Sequence, residues 1–464
     1  MNTPGPDRKR VAIIGAGPVG CLLGVLLGAR GYDVTVFEKR PDLRLQAMSA
    51  GRSINLVLTR RGLRALIPFD LRDEVLDLTV PVVGRMMHSL EGELTWTPYG
   101  RDTTECNHSI SRGELNKLLL SAVESYAVPI RFEHELVDAD FEAGLLRFDV
   151  AGGDPLEVQT DVIFGCDGGP SRTRELLVQR HGFEHHIDLL EHGYKELTFP
   201  AAPHGGYAMA GHTLHIWPRD WHMLMGLANV DGSFTGTFYA PWKGDAGSLE
   251  TLDTPTAVQA FFQRYYPDAI PLLGDFAHDF LAHPTGTLGT VRCAPWHLRD
   301  RVLLVGDAAH GIVPFFGQGL NCGFEDCAVL HELFNTLHDD IPAIFKAFDQ
   351  RRKPNADAIA DMALENFVEM RDKVGDDDFI LRKRVEARIE QAMPELYRSR
   401  YAMVMYSQIP YRTALLAGHL QDEILERLTR DIDDPALADL NEARRLIEAK
   451  LTPFLAAHQV DLGF

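Results

Sequence analysis

Basic charge is scarce in this chain: 46 lysines and arginines stand against 66 aspartates and glutamates, a formal balance of −20. Nucleic-acid backbones and anionic membranes both attract basic faces, so neither is expected as a partner. Cysteine is scarce as well. The six that occur, Cys21, Cys106, Cys166, Cys293, Cys322 and Cys327, have neither paired metal spacing nor a disulfide framework, which suits free thiols in a reducing cytoplasm. Long apolar runs are almost absent. The exception is the uncharged stretch between Arg10 and Arg30, which follows Arg8-Lys9-Arg10 and could pass for an export signal or a membrane span. Its glycines argue instead for a strand and helix buried within a parallel sheet. There is no internal repeat and no low-complexity linker. With 45% hydrophobic residues over 464 positions, the chain has material for two or three domain-sized units of a soluble protein.

What is present begins with Val11-Ala-Ile-Ile-Gly15-Ala-Gly17-Pro-Val-Gly20, which runs into an apolar helical segment and closes on Asp33-Val-Thr-Val-Phe-Glu38. It reads as strand, glycine turn, helix and second strand. Gly15 permits the tight turn, Gly17 lets a pyrophosphate approach the backbone, and Gly20 lets the helix pack closely. The helix N-terminus favours negative charge, and Glu38 is spaced to accept hydrogen bonds from an adenosine ribose. The ligand implied is an ADP-containing dinucleotide; this stretch alone leaves FAD and NAD open.

Further along, Gly51-Arg-Ser-Ile-Asn-Leu-Val-Leu58 supplies donors for phosphate or carbonyl oxygens, or is an ordinary turn and strand. Residues Pro81 to Tyr99 alternate around Glu91-Gly92 as a hairpin does, and a helix is expected from about Gly113. Val158 to Phe164 reads as one strand entering Gly165-Cys-Asp167-Gly168. Between Tyr194 and Ala240 four strand-like runs follow one another without a helix, the pattern of an antiparallel sheet. Arg301 to Val305 is again a buried strand, ending in Gly306-Asp307-Ala-Ala-His310 and followed by Pro314-Phe-Phe-Gly317-Gln-Gly319 and a helix from about Leu320. Beyond Lys346 the pattern is mainly helical. His181, His185, His186 and His192 are expected in a solvated loop rather than on a metal.

Three motifs in this order, Gly15-x-Gly17-x-x-Gly20, Gly165-Cys-Asp167-Gly168 and Gly306-Asp307-Ala-Ala-His310, resemble those of the single-component FAD aromatic hydroxylases with the p-hydroxybenzoate hydroxylase fold. More closely, Arg85-Met-Met-His-Ser, Tyr194-Lys-Glu-Leu-Thr, Leu214-His-Ile-Trp-Pro-Arg219, Val313-Pro-Phe-Phe-Gly-Gln-Gly319, Gly323-Phe-Glu-Asp-Cys327 and Asn366-Phe-Val-Glu-Met-Arg371 resemble the kynurenine 3-monooxygenase family, over about residues 10 to 410.

The resemblance implies an α/β fold: a Rossmann-like FAD-binding domain (1–75, 100–190, 285–340), an inserted antiparallel-sheet substrate domain (76–99, 191–284) and a helical C-terminal region (341–464). It implies bound FAD, NADPH as a visiting co-substrate without a glycine motif of its own, and O2. The reaction implied is hydroxylation of L-kynurenine beside its aniline nitrogen through a flavin hydroperoxide. A same-fold flavin hydroxylase of a substituted kynurenine or another aromatic acid, or a non-catalytic flavin-binding ligand sensor, stands as the alternative. FAD contacts are implied at Gly15, Gly17, Val19, Gly20, Glu38, Lys39, Arg40, Arg112, Leu136, Asp307, Leu320 and Asn321. Substrate contacts are implied at Arg85, Tyr99, Asn366 and Tyr401, where an Arg fork and Tyr hydroxyls suit an amino-acid carboxylate. Phe315, Phe316 and Gln318 are expected to wall the flavin side of the pocket. No metal, no acid or base and no membrane anchor are expected, and the location expected is the cytoplasm.

Overall fold

The computed structural model describes residues 9–45, 55–244, 247–372 and 377–462. Residues 51–54 of the expected Gly-Arg-Ser loop lie outside these; Asn55–Leu58 is a strand. The first strand, Arg10–Ile14, lies between Val162–Gly165 and Asp33–Phe37, parallel to both. The full sheet runs His297–Leu298, Val302–Leu304, Val162–Gly165, Arg10–Ile14, Asp33–Phe37, Ile130–Arg131. Only the outermost His297–Leu298 pairing is antiparallel. Because this sheet is covered on both faces, its central strands read as unbroken apolar runs. The helix Pro18–Ala29 starts with proline in its first turn and is buried from Gly20 to Leu27, packed against the helices Arg112–Ser125 and Gly319–Thr336. That all-round burial explains its lack of charge.

The expected single strand Val158 to Phe164 is two strands, Leu156–Gln159 and Val162–Gly165, in different sheets. The chain breaks at Thr160-Asp161, where Thr160 N–H donates to the Gly144 carbonyl and Asp161 takes Arg10 N–H and its guanidinium. Leu156–Gln159 instead completes an antiparallel meander with Leu145–Val150 and His134–Asp140.

The second large sheet has seven strands in the order Gly286–Ala294, Glu184–Phe199, Phe234–Pro241, His222–Ala228, Thr213–Arg219, Gly84–His88, Leu94–Pro98. It is antiparallel except between Thr213–Arg219 and Gly84–His88. Two boundaries differ from the sequence reading. Gly286–Ala294, placed there in the nucleotide domain, is an edge strand of this sheet, and the long strand Glu184–Phe199 starts before residue 191. His185, His186 and His192 therefore lie on a strand, not in a loop, and His181 ends a helix. His192 bonds the Trp221 carbonyl and His186 pairs with Asp188. No group of three metal-ligating side chains occurs among the described residues.

Alternation along these strands gives each face its task. Trp217, Leu224 and Phe238 face the helices Pro255–Tyr265 and Phe276–Ala282 in a separate aromatic core. Met223, Met225 and Tyr239, one residue out of phase, face the main body of the protein. The C-terminal region is helical: Ile341–Asp372, Asp377–Ala392, Arg400–Tyr406, Tyr411–Thr429 and Leu440–Leu446, the last followed by a π turn at Ile447–Leu451. Among the described residues no helix is long and apolar enough to cross a membrane.

Candidate active site

At the end of the first strand the backbone itself forms the site. Gly15 has φ +102°, and a Cβ there would lie 2.5 Å from the Cys166 carbonyl oxygen. A Cβ on Gly20 would lie 2.0 Å from the Gly15 carbonyl oxygen. A Cβ on Gly17, by contrast, would meet nothing within 4 Å. Two glycines are thus demanded by packing and the middle one faces open space, the arrangement that lets a pyrophosphate reach the main chain. Glu38 is buried beside this turn, its carboxylate taking Ala16 N–H at 2.9 Å and Arg40 N–H and Nε at 2.9 and 2.7 Å. Burial would raise its pKa, but the Arg40 hydrogen bonds and charge outweigh that and hold it below the usual range. Lys39 is exposed, 3.9 Å from Glu135, and Leu136 is buried on the neighbouring strand. Arg112 is exposed at the start of its helix, close enough to the Tyr194 phenol to act on it electrostatically.

The two other turns close on this one. Gly168 (φ +80°) and Gly169 have open space where a Cβ would stand. Asp167, expected to offer an acceptor beside this turn, spends its carboxylate on the helix Arg172–His181, accepting from Ser171 Oγ, Thr173 N and Thr173 Oγ1. Arg174, unflagged by any motif, donates to the carbonyls of Ala308 and Gly169 and so ties the second turn to the third. In the third turn Gly306 has φ +64° and Asp307 is exposed. Val19 packs over this turn; a Cβ on Gly323 would come within 2.6 Å of it.

Beneath Gly306 lies a buried charge network that the sequence reading did not assign. Asp326 takes Gly306 N–H at 3.0 Å, His310 Nε2 at 2.6 Å and Arg352 Nε at 2.7 Å. Arg352 also donates to Glu325, which takes Arg61 as well; Arg61 lies over the Tyr411 ring at 4.0 Å. Burial would lower the His310 pKa, yet the Asp326 charge raises it well above the ordinary value. Burial would raise that of Asp326, and His310 and Arg352 together hold it down. The Gly306 turn thus rests on a buried, hydrogen-bonded base in which Asp326 favours the charged form of His310. Its sequence traces were the Gly323-Phe-Glu-Asp-Cys327 string and the His310 that closes the third glycine motif.

The helix Gly319–Thr336, packed against Pro18–Ala29, begins with no side-chain cap at its N-terminus. The N–H groups of its first turn, Leu320 and Asn321 included, have no preceding helical carbonyl to bond. The Asn321 side chain is a tie within the protein: Oδ1 accepts Thr59 N–H at 2.9 Å and Nδ2 donates to Val57 O and Gly317 O. Gln318 is fully buried, its amide donating to Gly317 O and Met405 Sδ and accepting the Tyr411 hydroxyl at 2.8 Å, so its side chain ties this turn to the C-terminal helices.

Phe315 and Phe316, on the turn Pro314–Phe316, join two aromatic clusters. Phe315 packs on Tyr239 and Phe367, and its carbonyl takes Asn366 Nδ2 at 2.5 Å. Phe316 packs on Tyr401, which stacks on Tyr99 with centroids 5.6 Å apart and planes at 20°. Arg85 is exposed, has no carboxylate partner among the described residues, and its charge acts on both Tyr99 and Tyr401. Arg85, Tyr99, Tyr401 and Phe316 are thus brought together from four separate segments. Asn107, which donates to the Tyr401 hydroxyl, had no sequence signal.

Comparison with known proteins agrees with this architecture. The model of an FAD binding domain family matches residues 8–363. Kynurenine 3-monooxygenase of Myxococcus xanthus is 46% identical over 97% of this chain and 97% of its own, and that of Xanthomonas axonopodis pv. citri is 40% identical over 97% and 99%. Among solved structures, tetrameric 2-methyl-3-hydroxypyridine-5-carboxylic acid oxygenase superposes with a TM-score of 0.64 at 20% identity, over 79% of this chain and 94% of that one. Pseudomonas aeruginosa PqsL, in complex with 2-aminobenzoylacetate, does so with a TM-score of 0.62 at 21% identity, over 79% and 97%. These two show the fold. The glycine turns, the open face at Gly17 and near full-length identity together place the chain in the kynurenine 3-monooxygenase family of FAD-dependent monooxygenases.

Proposed function

We propose that the protein hydroxylates L-kynurenine on the ring carbon ortho to the aniline nitrogen, giving 3-hydroxykynurenine, with NADPH and O2 as co-substrates, in the cytoplasm. The observation that carries the substrate reading is Arg85: an exposed cation without a carboxylate partner among the described residues, its charge acting on two stacked tyrosines. An amino-acid carboxylate supplies the missing charge, and each charge-assisted bond to it contributes about 1.5–3 kcal/mol.

FAD, when bound, supplies the reduction and oxygen-activation chemistry. The chain's own residues hold and shield it. Gly15, Gly17 and Gly20 shape the pyrophosphate turn, Val19 packs above it, and Glu38 takes the adenosine ribose with Lys39 and Arg40 alongside. Arg112 and Leu136 lie further along the cofactor. Asp307 would hold the ribityl or pyrophosphate segment, and the main-chain N–H groups of Leu320 and Asn321 would serve the flavin ring. Arg85, Tyr99 and Tyr401 fix the carboxylate. Asn366 keeps the Phe315 carbonyl in place, and Phe315, Tyr239 and Phe367 exclude water from the ring. No side chain need act as acid or base, because an aniline already activates its ortho carbon.

The direct test is NADPH oxidation by the purified, FAD-loaded protein with and without L-kynurenine, with products followed by mass spectrometry. Stimulation by kynurenine and a product heavier by one oxygen atom are expected. Absence of stimulation, or hydrogen peroxide as the sole outcome, removes kynurenine as the substrate.

A further inference from the structure

We propose that Asn107 is a positioning residue that fixes the direction of the Tyr401 hydroxyl, leaving its hydrogen for the substrate carboxylate. The inference rests on the carboxylate reading of Arg85 above and adds a residue to that site. Asn107 begins the strand Asn107–Ser111, pairs with Val82 and is 4% exposed, so its side chain has little freedom. Its Nδ2 donates to the Tyr401 hydroxyl oxygen at 3.0 Å. Its Oδ1 is buried and has no hydrogen-bond partner among the described residues. Leaving an acceptor unpaired costs about 1–3 kcal/mol, and such an orphan calls for a reason.

The reason lies in what a phenol can do. Tyr401 sits in the first turn of the helix Arg400–Tyr406, which Ser399 caps, and its ring is held between Tyr99 at 5.6 Å and Phe316 at 5.9 Å. The ring being fixed, the remaining freedom is rotation of one O–H. A phenol carries one hydrogen and can accept two bonds. When Asn107 donates, the oxygen is satisfied as an acceptor and the hydrogen stays available. Were the amide reversed, Tyr401 would give its hydrogen to Oδ1 and present a lone pair to an anion. A carboxylate accepts only, so this orientation decides whether Tyr401 attracts or repels it. The Arg85 charge acts at the same hydroxyl, beside the buried Tyr406 hydroxyl, so a carboxylate drawn in by Arg85 competes with Tyr406 for the Tyr401 hydrogen and, being charged, is the stronger acceptor.

The test is equilibrium binding of L-kynurenine to the FAD-loaded enzyme, read from the perturbed flavin absorbance, across a double-mutant cycle of Asn107→Leu and Tyr401→Phe. Asn107→Leu keeps the shape and removes both hydrogen-bonding groups; its Kd is expected to rise about fivefold, with kcat at saturation within about twofold. Asn107→Asp can only accept, so it reverses the hydroxyl, and its Kd is expected to rise about thirtyfold or more. In the Tyr401→Phe background the effect of Asn107→Leu should shrink below about twofold, and the decarboxylated amine analogue of kynurenine should bind all forms alike. Equal effects of Asn107→Leu in both backgrounds, or equal losses with the decarboxylated analogue, would overturn the proposal. If Asn107→Asp fails to load FAD, the leucine variant carries the cycle. Wild-type enzyme that binds no kynurenine would sink the substrate reading itself, which is a different result from an additive cycle.

Discussion

Around Gly15 and Gly17 the cleft is lined by main chain, whereas around Arg85 it is lined by side chains, and the two ends are recruited from the sequence in opposite ways. The glycine turn, its helix and Glu38 come from one continuous run, Val11 to Glu38. Arg85 comes from the strand next to the edge of the seven-stranded sheet, Tyr99 from just beyond its edge strand, Asn107 from a strand in another sheet, and Tyr401 from a C-terminal helix. Backbone recognition tolerates a change of side chain but not an added Cβ in the wrong place. Side-chain recognition tolerates small backbone adjustments but depends on charge and hydrogen-bond direction.

The most severe way to break the first end is Gly20→Ala, whose methyl would sit 2.0 Å from the Gly15 carbonyl oxygen. Both backbones must shift, so we expect a loss of about 4 kcal/mol or more and no FAD-loaded soluble protein. Gly17→Ala separates packing from ligand approach. With nothing within 4 Å of its Cβ, the apoprotein should keep its unfolding midpoint while FAD affinity, measured by fluorescence quenching, falls about a hundredfold. Equal damage from both substitutions would mean that Gly17 serves packing and not the cofactor.

Next in size is the base under the third turn. Asp326→Asn leaves the His310 imidazolium and Arg352 buried without their shared counter-charge, which costs about 3–5 kcal/mol when one partner of a buried pair is removed. Thermal unfolding of the apoprotein measures it. A change below about 1 kcal/mol would show that the network is not what supports the Gly306 turn.

These contrasts also explain what could be read in the sequence. Gly15, Gly17 and Gly20 were legible because each local demand, a positive φ, an open face and a close approach, selects the same residue type within a few positions. The seven-stranded sheet was legible in outline because four strand-like runs between Tyr194 and Ala240 follow one another with turn residues and no helix between them. Its edge strand Gly286–Ala294 was not, since it pairs with a strand begun about a hundred residues earlier and nothing local marks that partner. Asp326, Arg352, Arg174 and Asn107 were missed for the same reason: their roles are hydrogen bonds to distant segments, invisible to periodicity. Asn321 and Gln318 show the converse. Each stood in a motif, yet their side chains are consumed inside the protein.

At the opposite end the expected effect is smaller and confined to the substrate. Arg85→Met should raise the kynurenine KM about tenfold to a hundredfold with little change in FAD content, since the side chain is exposed and pairs with no carboxylate among the described residues. Arg85→Lys should recover part of that loss, because it restores the charge without the planar fork. An unchanged KM in both would place the carboxylate elsewhere.

The smallest effect comes from histidines, and its sign differs between the two halves. His222, buried among Phe261, Tyr265 and Tyr266 with Nδ1 2.5 Å from the Tyr266 hydroxyl, is pushed down to about 3 by burial and by Arg219; His215 is pushed down to about 4 by burial. Both belong to the seven-stranded sheet. Unfolded, each takes up a proton below its ordinary pKa of about 6.5, whereas folded each stays neutral, so stability is full above that pH and is lost as pH falls toward 4. His310, under the nucleotide turn, is raised by Asp326 and runs the other way: its contribution is full below about pH 6.5 and is lost as pH rises toward its folded value. Replacing His222 by Phe removes the larger of these two acid-side shifts in the seven-stranded sheet. The fall in apoprotein stability between pH 7.5 and 5.5, from urea unfolding, should then shrink by about 1 kcal/mol, while the alkaline side is untouched. If the variant and the wild type lose stability in parallel over that range, His222 is not held neutral in the folded sheet, and the contrast between a sheet that buries neutral imidazoles and a nucleotide half that buries a charged one does not hold.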